Sequence, residues 1–306
     1  MEKATDVAAL TKLFSPSNAS DAPRKRTTEA PRKNPLARPN RVLFSVIFRR
    51  RFEKLNPALP AESIRTPKTL RMIAAIAVRL RRSPSSMKPK RRSNNTSEAI
   101  RLAKHAEEVG ANAVLIVSPY YNKPTQQGLK AHFLSIADEL SSIPLIVYDI
   151  PGRSIVSVED ELLAELAKHK NIIGIKDATG DAARPARLSN LIGDDFCQLS
   201  GDDATAFSYL ASGGHGMISV VSNVAPKLYS DMYNSFCAGD IKTGMEINKK
   251  LMALHDGLFC EASPAPVKYA AERLRLCKSE LRLPLVSVSD EAKKIIDKAL
   301  ALAGLV

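Results

Sequence analysis

Lys176 closes an apolar run, IIGIK (172 to 176), inside the longer string NIIGIKDATGD. A lysine amine in partly desolvated surroundings loses its preference for the charged form. Its pKa then falls from about 10.4 toward neutrality, where the free amine can attack a carbonyl. That is the chemistry of a Schiff-base enzyme. Alone, a strand-end lysine reads as snorkelling to solvent, but its neighbours argue otherwise. The apolar run from Ala113 leads into SPYYNKPTQQG and brings Tyr120 and Tyr121; the run from Pro144 leads into YDIPGR and brings Tyr148 and Arg153. Tyr121 to Tyr148 is 27 residues and Tyr148 to Lys176 is 28, so each step is one strand–helix unit and the three groups fall on one rim. A phenol beside an imine-forming lysine can relay protons through dehydration and carbon–carbon bond formation. The planar fork of Arg153 suits a carboxylate.

The elements that must position these groups repeat from residue 93 onward. β-Branched apolar runs begin near Ala113, Pro144, Ile172, Phe196 and Gly216, at intervals of 31, 28, 24 and 20 residues. Helical patterns lie between them at about 97 to 109, 127 to 140, 158 to 169, 203 to 212 and 226 to 237, with Asn95 as N-cap and Gly110 at the C-terminal end of the first. Only helices follow, at about 240 to 257, 265 to 276 and 289 to 303. The fold class predicted is α/β: the later units of a (β/α)8 TIM barrel, whose catalytic groups sit at the C-terminal ends of strands, followed by C-terminal helices. An open doubly wound sheet is the alternative, but no glycine-rich dinucleotide fingerprint follows any strand.

The first third reads differently. Residues 1 to 92 hold 23 Lys+Arg against 6 Asp+Glu, so all of the net charge of +13 belongs to them and the remainder is acidic. They also hold 10 of the 19 prolines and no glycine, where an ordinary stretch of that length has about six. The basic segment alone resembles a disordered or nucleic-acid-binding arm. Asp202 and Asp203 lack a third ligand at metal spacing and read as helix caps, and the glycines around His215 as tight turns. The cysteines, Cys197, Cys237, Cys260 and Cys277, form no CxxC pair and read as buried thiols of a reducing compartment. No apolar run near the start is long enough to cross a membrane, and no secretory pattern precedes it. A cytoplasmic protein is expected.

SNNTSEAIRLAKHAEEVGANAVLIVSPYYNKPTQQG, VYDIPGRS, NIIGIKDATGD, LSGDDATAFSYLASGGHGMISVVSNVAP and SPAPVKYA together resemble the dihydrodipicolinate synthase family of pyruvate-dependent class I aldolases. The resemblance runs through residues 93 to 306 in one continuous order. It implies condensation of pyruvate with aspartate semialdehyde in the diaminopimelate route to lysine, without metal or organic cofactor because the lysine imine is the electron sink. It makes Lys176 the Schiff-base lysine and Tyr148 the proton donor and acceptor. Tyr121 is implied to reach into the neighbouring subunit's site, which requires a homodimer or homotetramer. Gly201 and Ile218 are implied to line the pyruvate pocket, and Arg153 to hold the semialdehyde carboxylate. Asn94, Glu98 and Tyr120 match part of a pocket for lysine as feedback ligand. An N-acetylneuraminate lyase-like activity on the same fold is one alternative; an inactive chain with a nucleic-acid-binding arm is the other.

The family's GTTGES motif, whose threonines bind the pyruvate carboxylate, does not occur here. Its spacing from Tyr121 places it near residues 57 to 62, where the chain reads Pro57, Ala58, Leu59, Pro60, Ala61, Glu62. The codons GGC ACT ACC GGC for Gly-Thr-Thr-Gly, read one base later, give Ala-Leu-Pro-Ala, the run from Ala58 to Ala61. Much of residues 1 to 92 is therefore expected to be a frame-shifted reading of the barrel's first units. Three segments follow: 1–92, anomalous, basic and Pro/Arg-rich; 93–237, barrel units with the site; 238–306, a helical region.

Overall fold

A computed structural model describes residues 93 to 306 in full, together with the strands Ser45–Phe48 and Met72–Ala74. The run from Pro57 to Glu62 lies outside the described residues. The strands are β1 (Ser45–Phe48), β2 (Met72–Ala74), β3 (Ala113–Val117), β4 (Leu145–Asp149), β5 (Ile172–Asp177), β6 (Cys197–Ser200) and β7 (Gly216–Ser219). The helices are α1 (Thr96–Glu108), α2 (Gln126–Asp138), the single turn α3 (Pro151–Ser154), α4 (Asp160–Leu166), α5 (Arg184–Ile192) and α6 (Ala206–Ala211). Beyond the sheet lie α7 (Pro226–Cys237), α8 (Ile241–Leu258), α9 (Ala265–Arg273) and α10 (Asp290–Leu302).

The sheet order is β1-β7-β6-β5-β4-β3-β2, so β3 to β7 are consecutive parallel neighbours joined by helices, the barrel arrangement expected from the repeat. β2 extends it in parallel, pairing Met72 with Ala113. β1 departs from the expectation: it runs antiparallel to β7, Ser45 opposite Ser219, where a closed (β/α)8 ring has a parallel neighbour. Among the described residues the ladder does not close.

Local chemistry fixes the helix ends. Asn95 accepts from the Glu98 amide at 3.1 Å and starts α1, while Gly110 takes φ +77 just past its end. Helix α5 was not expected from the sequence, because Pro185 breaks the pattern; it sits in the first turn of the helix, where no backbone N–H is needed. Alternation along β3 and β4 sends one set of side chains to an outer core under α1, α2, α4 and α5, built on Leu129, Phe133, Ile136, Leu163 and Leu188. The other set, with Ile173 and Ile218, forms an inner cluster against which Tyr148 packs. A further core runs from Ala206 to Ala303 and joins α6 and β7 to α7 through α10. No helix among the described residues is long and apolar enough to cross a membrane.

Candidate active site

Strict alternation from Ile172, an outer-core residue, would also turn Lys176 outward. It does not, because the β4–β5 register jumps from Leu145↔Ile172 to Ile146↔Gly174. The additional residue is a β-bulge, and it inverts the facing of everything after it. Ile175 therefore joins the outer core, while Lys176, opposite Leu199 of the inner cluster, faces inward. Gly174 is required at this point: a Cβ there would lie 2.7 Å from that of Cys197.

Lys176 is 3% exposed, and its amine stands 4.3 Å from the centre of the Tyr148 ring, its partner across the ladder. Burial lowers its pKa to about 8, against the nearby negative charge of Asp203, which opposes the shift. The amine thus reaches its nucleophilic form near neutral pH. Gly201 lies against the same side chain; a Cβ at this position would meet Lys176 Cε at 2.7 Å. Ile218 belongs to the inner cluster beside Tyr148. Arg153, on α3 just past β4, is exposed and donates to the Ser263 carbonyl at 3.4 Å.

Tyr121 is turned away from this group: it is 87% exposed, with φ +75 in the loop after β3. Asn94 donates to the Tyr120 carbonyl at 3.1 Å, which joins two of the three residues assigned to a feedback pocket. Glu98, in the first turn of α1, lies 3.6 Å from Arg101.

Sequence reasoning missed the burial of Asp149, Asp177, Arg184 and Asp203. Asp203 does not cap α6: its Oδ2 accepts from the Val220 and Val221 amides at 2.8 and 3.1 Å, and its Oδ1 from the Tyr229 hydroxyl at 2.6 Å, tying the β6–α6 loop to the end of β7. Nor does Asp202: α6 has no side-chain cap, and Asp202 accepts from the Thr205 amide at 3.0 Å in the turn that precedes the helix. Asp149, Asp177 and Arg184 are buried on the outer face. The signal was present in the dipeptides Tyr148–Asp149 and Lys176–Asp177, since a residue after an inward side chain must face outward. His215 has a structural role, its Nδ1 accepting from the Gln198 amide at 3.0 Å. The cysteines differ from expectation: Cys197 is buried, Cys277 only partly, and Cys237 and Cys260 are exposed, because they lie at the end of α7 and just past α8. Among the described residues no cluster of His, Cys, Asp or Glu could hold a metal ion.

The sequence profile of the Dihydrodipicolinate synthetase family matches residues 91–303. A 4-hydroxy-tetrahydrodipicolinate synthase of Roseobacter denitrificans is 53% identical over 213 residues, covering 70% of this chain and 73% of that protein. The crystal structure of the chloride-inhibited dihydrodipicolinate synthase of Acinetobacter baumannii complexed with pyruvate superposes with a TM-score of 0.67 at 41% identity, covering 70% of this chain and 73% of that one. The enzyme of Cyanidioschyzon merolae with lysine bound gives a TM-score of 0.67 at 35% identity, covering 70% and 72%. Joined to a buried lysine on a barrel strand with a tyrosine ring against its amine, these likenesses have one reading: the chain belongs to the Dihydrodipicolinate synthetase family.

Proposed function

We propose that the chain catalyses the 4-hydroxy-tetrahydrodipicolinate synthase reaction, condensing pyruvate with L-aspartate 4-semialdehyde in the cytoplasm on the way to diaminopimelate and lysine. The observation that carries this reading is the buried Lys176 amine, brought to a pKa of about 8 and held 4.3 Å from the Tyr148 ring centre. The free amine attacks the keto carbon of pyruvate, and the carbinolamine loses water to give an imine. Removal of a methyl proton then leaves an enamine, which adds to the aldehyde carbon of the second substrate. Tyr148 is placed to carry protons at each of these steps. Gly201 leaves room for the lysine stem, and Ile218 closes the inner wall. Arg153, exposed at the rim, offers its guanidinium to the semialdehyde carboxylate.

Tyr121, exposed on its own subunit, is assigned to the neighbour's site, so the active form is a homodimer or homotetramer. Asn94, Glu98 and Tyr120 are assigned to binding lysine as a feedback ligand. Residues 93–237 carry the site in this reading, and 238–306 form the helical region behind it. Incubation with pyruvate and borohydride, followed by peptide mass analysis, tests the assignment. A reduced adduct on Lys176, absent from Lys176→Ala, is expected; an adduct on another lysine, or equal labelling of the variant, refutes it.

A further inference from the structure

Asp149 and Asp177 immediately follow Tyr148 and Lys176, and they pair across the β4–β5 ladder one step beyond those two residues. Their side chains project to the outer face, where one guanidinium receives both. Arg184 Nη1 lies 2.9 Å from Asp149 Oδ2 and 3.5 Å from Asp177 Oδ1. Its Nε donates to Asp160 Oδ1 at 2.7 Å, and its Nη2 to the Val158 carbonyl. Asp149 Oδ2 is further held by the Ser157 hydroxyl at 2.8 Å and the Val158 amide at 3.2 Å. The arginine side chain is 4% exposed.

Burying these charges is costly, and an apolar bridge of the same volume would join the strands as well or better. What the planar fork adds is direction: Nε and Nη2, held by Asp160 and the Val158 carbonyl, fix where Nη1 points, and Nη1 faces the carboxylates of both strands. A displacement of about 1 Å between reacting groups can cost roughly 10²-fold in rate.

We propose that Arg184 is a positioning residue: by binding the carboxylates next in sequence to Tyr148 and Lys176, it fixes the ends of β4 and β5 and so holds the amine over the ring. The inference rests on the roles proposed above for Lys176 and Tyr148. Arg184 touches no substrate, and its effect reaches the reaction through the backbone of the two strands.

The test uses the full chain, with pyruvate and borohydride first counting the competent Lys176 sites, so that kcat is expressed per trapped site. Arg184→Lys keeps the charge and removes the fork. Its kcat per site is expected to fall roughly 10- to 100-fold, while KM for pyruvate stays within about threefold, since the lost interaction is not one with substrate. Arg184→Met/Asp149→Asn/Asp177→Asn removes the opposed charges together. Its melting temperature should recover relative to Arg184→Met, because no unpaired carboxylate of this pair stays buried, yet its kcat should stay low. Parental kcat per site in Arg184→Lys overturns the proposal, as does activity that returns with stability in the triple variant. If the triple variant does not fold, Arg184→Lys decides alone. An adduct elsewhere than Lys176 in the parent chain sinks the Schiff-base reading instead.

Discussion

At the scale of single residues, the site depends on an amine whose charge the fold has made marginal. Burial lowers the Lys176 pKa to about 8 from an ordinary 10.5, so initial rates of borohydride trapping at fixed pyruvate should rise with pH through a midpoint near 8. Asp203 opposes the shift, so Asp203→Asn should move that midpoint to lower pH; a midpoint unmoved or raised contradicts the coupling. The same shift bears on stability. Between pH 8 and 10.5 the unfolded chain holds the Lys176 proton and the folded one does not, so this residue's contribution to stability rises with pH across that window. Below it the folded state carries a buried cation at a cost. Tyr148→Phe removes the hydroxyl that moves protons and keeps the ring beneath the amine. Adduct formation should persist while turnover slows by roughly 10² to 10⁴, measured as pyruvate consumed with aspartate semialdehyde; unchanged turnover removes Tyr148 from the mechanism.

At the scale of elements, the bulge in β5 decides whether the chemistry has a nucleophile. Gly174→Ala would press a methyl group into Cys197, so it should cost about 1–3 kcal/mol, read as a lower midpoint in urea. Trapping should fall further than stability alone explains, because relaxing the bulge re-aims Lys176; full trapping in a destabilised variant would separate the two. The strands and the lysine were legible in the sequence, since apolar runs at regular intervals ending in Tyr and Lys are local patterns. The bulge was not, because IIGIK reads as one continuous apolar run whichever way its residues face. Helix α5 was hidden by Pro185 and by Arg184, a charge that reads as exposed until three carboxylates are found around it. The exposure of Cys237 and Cys260 was equally illegible, since it depends on where α7 and α8 end against their neighbours.

At the scale of the molecule, the sheet meets the first third of the chain through β1 and β2. The antiparallel pairing of β1 with β7 is foreign to a parallel ring; we propose that the first segment is a frame-shifted reading of barrel units. Translating the encoding DNA in its other two frames should recover Gly-Thr-Thr-Gly near residues 57 to 62 and three glycine-bearing strand–helix units; their absence refutes the frame-shift proposal. A chain with that frame restored should consume pyruvate with aspartate semialdehyde faster than the chain as it stands, and sediment as a defined oligomer. Equal activity would mean that the basic segment supplies its own substitute for the threonine pair.

Among the described residues the two main apolar cores each occupy a continuous stretch of chain, Ala99 to Phe196 and Ala206 to Ala303. During synthesis the first can therefore close before most of the second has left the ribosome, with little entropy spent on joining distant segments. Lys176 and Tyr148 come from the early half, whereas Gly201, Asp203 and Ile218 come from the late one. Competence is thus acquired last, when the halves seat against each other.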